Sequence, residues 1–467
     1  MKFAVKEIAL FERSVRLRLP FRFGVVTLTE APQAFVRARI ETEDGKSATG
    51  GAAELMVPKW FDKNPALGDD ENIAQLRASL ALARDSYLAS GWNTAFGHFI
   101  DNYAPQIAVG TMQGMNSLVA CYGPALVDRA LLDALCRALG MSFFRAIEKN
   151  VPGIQAPGWQ ADLSAFDMDE FLFELKPRKQ VAVRHTVGLL DPVTAADVKE
   201  AVGDGLPVTL EEVVARYGHR WFKIKVSGDT PADLERLAAI ASVLDRIADP
   251  YQATLDGNEQ YADESGVIEL WRRIKGDARL RRLASSIAFI EQPVKRQNAL
   301  AADMSELGEE KPVIIDESDD SLEAFPLARR HGYTGVSSKA CKGFYKSILN
   351  AARCRLWNRE EGAERYFLSG EDLTTQAGLA VQQDLALASL LGIPHVERNG
   401  HHYANGMAGL PDAEQEAFLK AHPDLYERSH GAVRLKISAG AISLGSLACP
   451  GFGSGALPDW SSMKEMA

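Results

Sequence analysis

The chain has 467 residues, 46% apolar and 24% charged; this is ordinary globular usage and excludes a disordered, collagen-like or coiled-coil chain. Its 52 basic and 62 acidic residues leave a net charge of −10, a poor basis for neutralising nucleic-acid phosphates. No apolar run approaches the ~18–20 residues of a membrane helix, and charges interrupt the opening MKFAVKEIALFERS, so neither a membrane span nor a signal peptide is expected.

Five scattered cysteines (Cys121, Cys136, Cys341, Cys354, Cys449) without a CxxC read as reduced thiols in a cytoplasmic protein. Taken in order, the first ~60 residues read as strands. Phe35–Ile40 alternates, Glu43-Asp44-Gly45 marks a turn, and SATGGAAEL resumes the sheet. Residues 70–150 read as helices, with apolar residues at helical spacing in GPALVDRALLDALCRALGMSFF. The first third is therefore an α+β unit.

From about residue 180 short β-rich runs alternate with amphipathic helical runs. The strand candidates are residues 181–187, 221–226, 253–258, 288–291, 313–316, 335–339, 366–369 and 394–397. Eight strands with crossovers predict a parallel α/β domain, and eight is the number that closes a barrel. The pattern alone also allows an open doubly wound sheet. The basic run from Arg272 to Arg282 reads as a solvated helix face. After residue 405 the rhythm breaks into strand, turn, strand and a Gly/Pro-rich end.

Charged residues recur at the C-terminal ends of these strands. In WFKIKV, Lys223 and Lys225 are two apart and share a face. The next strands end in TLDGNE with Asp256 and Asn258, FIEQP with Glu291, VIIDES with Asp316 and GVSSK with Lys339. Solvent-facing lysines on an edge strand, and acids capping the following helices, are the structural alternatives. In a barrel these ends meet at one mouth, so the three carboxylates would converge. Three hard oxygen ligands suit Mg²⁺, with Mn²⁺ as the other choice, rather than Zn²⁺. Such a site could draw charge from a substrate carboxylate while a neutral lysine removes the adjacent proton. Lys342 competes with Lys339, but Lys339 ends the apolar run. Adjacent histidines in a strand point opposite ways, so His401 and His402 are expected at the surface or in a lid. Gly451, Gly453 and Gly455 precede no helix pattern and do not read as a nucleotide loop.

The order Lys-x-Lys, Asp-x-Asn, Glu-Gln-Pro, Asp-Glu-Ser, Lys resembles the enolase superfamily, in its mandelate racemase/muconate lactonizing enzyme branch. RLPFRFG and GGAAELMVPKWF resemble that family's two lid segments, and ACPGFGSGAL its closing strand. The resemblance implies a modified (β/α)8 TIM barrel, residues 181–405. An α+β capping domain of residues 1–150, joined by the tail 406–467, would cover the C-terminal mouth. It further implies Lys225 and Lys339 as the two acid/bases and Lys223 as an electrostatic helper. Asp256, Glu291 and Asp316 would hold Mg²⁺, with Asn258 beside them. A small-molecule carboxylate is the implied substrate, with racemization, epimerization or cycloisomerization as outcome, and a homo-oligomer is expected. β-Elimination, as in o-succinylbenzoate synthase-like members, shares the half-reaction, and a non-catalytic barrel is the third alternative. The Asp-x-Asp pair of dipeptide epimerases is Glu397 and Asn399 here, and Glu371 or Asp372 could reach the mouth from strand seven.

Overall fold

The computed structural model describes residues 1–466 apart from Val25, Pro157 and Trp159. β1 (Phe3–Phe23), β2 (Val26–Thr42) and β3 (Ser47–Leu55) form an antiparallel meander. The turn between β2 and β3 falls on the Glu43-Asp44-Gly45 segment read from the sequence. The helix Tyr122–Ala138 is buried along nearly its whole length against this sheet. Gly50 permits the approach, because a Cβ there would lie 2.3 Å from the Ala130 carbonyl oxygen.

β4 (Gln180–Val187), β5 (Trp221–Lys225), β6 (Gln252–Asp256), β7 (Ile287–Glu291), β8 (Val313–Ile315), β9 (Gly335–Ser338), β10 (Phe367–Gly370) and β11 (His395–Glu397) follow. Each pairs in parallel with the next, and β11 pairs with β4 through His395–Ala182, Val396–Val183 and Glu397–Arg184. That pairing closes the barrel and decides against the open sheet. The crossovers carry helices such as Thr230–Leu244, Glu264–Gly276 and Phe344–Glu361. Parallel strands buried on both faces account for the apolar runs that made them legible.

The tail divides. β12 (Tyr426–Ser429) and β13 (Ala432–Leu435) form a hairpin, and β14 (Ala441–Ser443) adds antiparallel to the first residues of β4. The chain then returns to the first sheet, where β15 (Lys464–Glu465) lies beside Phe11 and Glu12 of β1. Arg272, Arg273, Lys275 and Arg279 face solvent in ion pairs with nearby acids, as a solvated helix face does. Among the described residues no helix is long and apolar enough to cross a membrane.

Candidate active site

The two sheets meet over the C-terminal ends of the barrel strands. Lys223 and Lys225 are both in β5 and point inward together, as strand alternation requires: their ammonium groups lie 2.9 and 2.6 Å from one oxygen, Oδ2 of Asp256. Asp256 stands opposite Lys225 in the β5–β6 register and opposite Glu291 in the β6–β7 register. Asp316 follows β8 directly and Lys339 follows β9, and Lys339 Nζ donates to Asp316 Oδ2 at 2.6 Å. All seven residues singled out from the sequence, Asn258 included, are buried at this one mouth.

Lys223 is the hub. Its ammonium donates to Glu291 and Glu371 at 2.8 Å each and to Glu397 at 3.0 Å, beside its contact with Asp256. Burial works against its charge, but these four carboxylates outweigh burial and hold it well above the usual lysine range. Burial and the neighbouring Asp256 and Glu371 push Glu291 well above the usual carboxylate range. Burial also opposes the charge of Asp316, yet Lys339 and Lys342 hold it well below that range. Glu397 is likewise held low against its burial by Lys223, Lys225 and Lys339. Lys342 is buried too, donating to Ser337 Oγ at 2.7 Å and lying 3.0 Å from Asp319. It does not line the cavity at the mouth, whereas Lys339 does.

That cavity is about 20 Å³ in volume, enough for roughly one water. Lys223, Lys225, Lys339, Asn258, Glu397 and Asn399 line its barrel side. Phe21 and Phe23 of β1 and Val57 and Trp60 of the loop after β3 close it, within the segments RLPFRFG and GGAAELMVPKWF that resemble lids. The Trp60 ring lies 4.2 Å from Lys339 Nζ, and the Phe21 ring 5.9 Å from Lys225 Nζ. Arg296 donates to the carbonyls of Phe61 and Trp60 at 2.8 Å each and pairs with Glu259, which pins the second lid segment to the barrel.

Sequence reasoning left Arg184 unnoticed. It points into the barrel from β4, pairs with Glu371 and donates to the Gly370 carbonyl at 2.9 Å. Only its alternation with Thr186, which donates to Glu397 at 2.6 Å, could have flagged it. The expectation for His401 and His402 is corrected. They lie in the short helix Gly400–Tyr403, where neighbours are not forced to opposite sides, and both are buried.

The donor set fits a hard divalent cation. It is all oxygen, it is buried, and two acceptors beside it, Asn258 Oδ1 and Glu317 Oε2, have no hydrogen-bond partner. Lysine ammonium groups now lie between the carboxylates, so a cation and these ammonium groups would exchange places.

Residues 206–360 match the family model described as enolase C-terminal domain-like. A stretch of 132 residues is 31% identical to chloromuconate cycloisomerase of Pseudomonas putida; it covers 28% of this chain and only a third of that relative. The fold matches the muconate lactonizing enzyme of Pseudomonas fluorescens, solved with muconolactone, at a TM-score of 0.59 and 19% identity over 98% of this chain and 97% of that one. It also matches a dipeptide epimerase of Enterococcus faecalis V583, solved with Mg and L-Leu-L-Tyr, at 0.59 and 16% over 96% and 99%. At these identities the structural likeness is one of fold.

Proposed function

We propose that this chain, whose residues 206–360 match the enolase C-terminal domain-like family model, is an enolase-superfamily enzyme that removes the α-proton of a carboxylate substrate and returns a proton to give a racemized, epimerized or cycloisomerized product. The observation that carries this reading is the pair Lys225 and Lys339. Both face the same cavity, and each is bonded to a carboxylate of the Asp256, Glu291 and Asp316 set. Those three carboxylates would hold Mg²⁺, which supplies Lewis-acid withdrawal of charge from a substrate carboxylate.

The remaining work falls to the protein. Lys225 and Lys339 come from strands two and six of eight, so they address one bound carbon from opposite sides. The Asp316 ion pair holds the Lys339 ammonium proton in place against burial, so Lys339 becomes a base once Asp316 is engaged elsewhere. One lysine takes the α-proton and the other delivers one to the opposite face. Lys223, displaced from Asp256 and Glu291 by the cation, would keep its positive charge beside the enediolate that forms between these transfers. Phe21, Phe23 and Trp60 exclude water, which strengthens each of these electrostatic contacts. Residues 1–150, which the end of the tail 406–467 rejoins at β15, are read as the cap that supplies this closure. The five cysteines are unpaired, which accords with a reducing compartment.

The test is a panel of carboxylic acids incubated with the protein and Mg²⁺ in deuterated buffer and scored by NMR. The reading predicts Mg²⁺-dependent exchange of an α-proton in at least one class of acid. Turnover of an acid without α-exchange would reject it.

A further inference from the structure

Three histidines from three segments meet outside the barrel wall at its seam. His185 is on β4 between the inward-pointing Arg184 and Thr186, so it faces away from the barrel interior. His219 precedes β5 by two residues, and His401 lies just beyond β11 in the helix Gly400–Tyr403. β11 and β4 are the strands whose pairing closes the barrel. The ring centres form a near-equilateral triangle: 5.4 Å between His185 and His219, 5.6 Å between His185 and His401, and 5.5 Å between His219 and His401. One ring nitrogen from each lies within 4.8 Å of the other two. Among the described residues this is the group of three such donors drawn that close together.

At least one ring nitrogen of each histidine is without a hydrogen-bond partner. His219 Nδ1 lies 3.2 Å from the Val183 carbonyl oxygen. A carbonyl only accepts, so Nδ1 carries the hydrogen and Nε2 presents a lone pair. That Nε2 is buried without a hydrogen-bond partner, as are His185 Nδ1 and both ring nitrogens of His401. Buried polar atoms of a native protein are nearly always satisfied, and here four orphans gather in one place.

We infer that His185, His219 and His401 form a binding site for a divalent transition-metal ion of the zinc class, held by three imidazoles with a non-protein fourth ligand. Zn–N bonds of about 2.0–2.1 Å in a tetrahedron put imidazole centres roughly 5 Å apart, close to the observed triangle. An all-nitrogen set selects zinc, cobalt, nickel or copper over magnesium, which separates this site from the carboxylates inside the barrel. The Val183 carbonyl orients His219 as an outer partner orients a ligating histidine. Burial, reinforced for His185 and His401 by neighbouring histidines, pushes all three below the usual histidine range, so they are neutral and ready to ligate. A bound ion would tie β4, the entry to β5 and the segment leaving β11 into one knot across the seam.

The test uses the full chain freed of metal with a chelator and titrated with Zn²⁺ in excess Mg²⁺, which keeps the carboxylates occupied. One equivalent of Zn²⁺ that Mg²⁺ does not displace is expected. Its X-ray absorption spectrum should show three imidazole ligands, and Co²⁺ in its place should give a tetrahedral visible spectrum. His219→Gln and His401→Ala should each weaken this equivalent by more than the roughly 10–100-fold that losing an outer partner costs. Where a variant fails to fold, the absorption spectrum of the natural protein decides alone. Absence of the Mg²⁺-resistant equivalent, an oxygen-only shell around it, or folded variants that keep it would overturn the assignment.

Discussion

Lys225 and Lys339 reach the same cavity from strands two and six, and each rests 2.6 Å from a carboxylate, Asp256 for the first and Asp316 for the second. The two pairs are alike: each lysine meets the carboxylate of a neighbouring strand. Lys223 is tied to four carboxylates beside them and, on the proposed function, keeps its charge while the other two exchange protons.

Asp256→Asn, Glu291→Gln and Asp316→Asn should each abolish Mg²⁺-dependent exchange without unfolding the barrel. Each removes one hard oxygen anion from the set while keeping its shape. Calorimetric titration with Mg²⁺ checks this. A triple variant that binds the ion at the mouth with unchanged affinity would contradict the assignment.

Arg296→Ala should loosen the segment bearing Trp60. Two of the bonds it breaks run to the Trp60 and Phe61 carbonyls, and a third leaves Glu259 with Lys63 as its remaining ion-pair partner. A loss of ~1.4 kcal/mol in closure corresponds to a rise in KM of about tenfold. Steady-state kinetics and limited proteolysis near residues 57–63 measure it, and an unchanged KM with unchanged protease sensitivity would count against a closing role.

Gly50→Ala should destabilise the first sheet. Its added methyl would fall 2.3 Å from both the Ala130 carbonyl oxygen and the Ala134 nitrogen, which are backbone atoms and cannot rotate aside. Overpacking of this kind costs about 1–3 kcal/mol. Denaturant unfolding that shows no change would mean the sheet and the helix Tyr122–Ala138 are not pressed together in solution.

His422 carries a pH dependence whose sign is fixed by its bonds. Its Nε2 accepts from the Gly455 N–H at 2.9 Å, so the folded ring is neutral; burial lowers its pKa to about 4, against about 6.5 when unfolded. Between those values the unfolded chain takes a proton that the native chain refuses. Stability is therefore intact above pH 6.5 and is lost as pH falls toward 4, at up to about 1.4 kcal/mol per unit. His422→Gln keeps an acceptor for Gly455 but not the titration, so unfolding curves for it should depend less steeply on pH across this window. Parallel curves for the two proteins would contradict the account.

Much of this was legible in the chain because parallel barrel strands are apolar on both faces and end abruptly in chemistry. Two-residue alternation placed Lys223 and Lys225 together, and one βα repeat between Asp256, Glu291 and Asp316 placed the acids at one mouth. What escaped depends on closure. The sequence offered Glu371 to the mouth and marked Glu397 on strand eight, but their bonds to Lys223 depend on strands seven and eight coming round to strand one, and Arg184 reads as an ordinary strand residue until that happens. His401 and His402 were misread because the strand stops at Glu397 and the chain turns directly into a helix, a boundary no spacing announces. Phe21 of β1 and Trp60 of the loop after β3 lie in the segments that resemble lids, but which of their rings cover Lys225 and Lys339 follows from tertiary packing alone.

The central claim is two-base proton transfer, and stereospecific α-proton exchange measures it most directly. Each enantiomer of an exchanging substrate is incubated separately with Lys225→Ala and Lys339→Ala in deuterated buffer and followed by NMR. The account predicts that each variant loses racemization yet exchanges the proton of one enantiomer, the two variants retaining opposite ones. Lys223→Ala should slow both directions alike, by about 10²–10³ for loss of one charge-stabilising contact. Equal loss of exchange from both enantiomers in both lysine variants would contradict it.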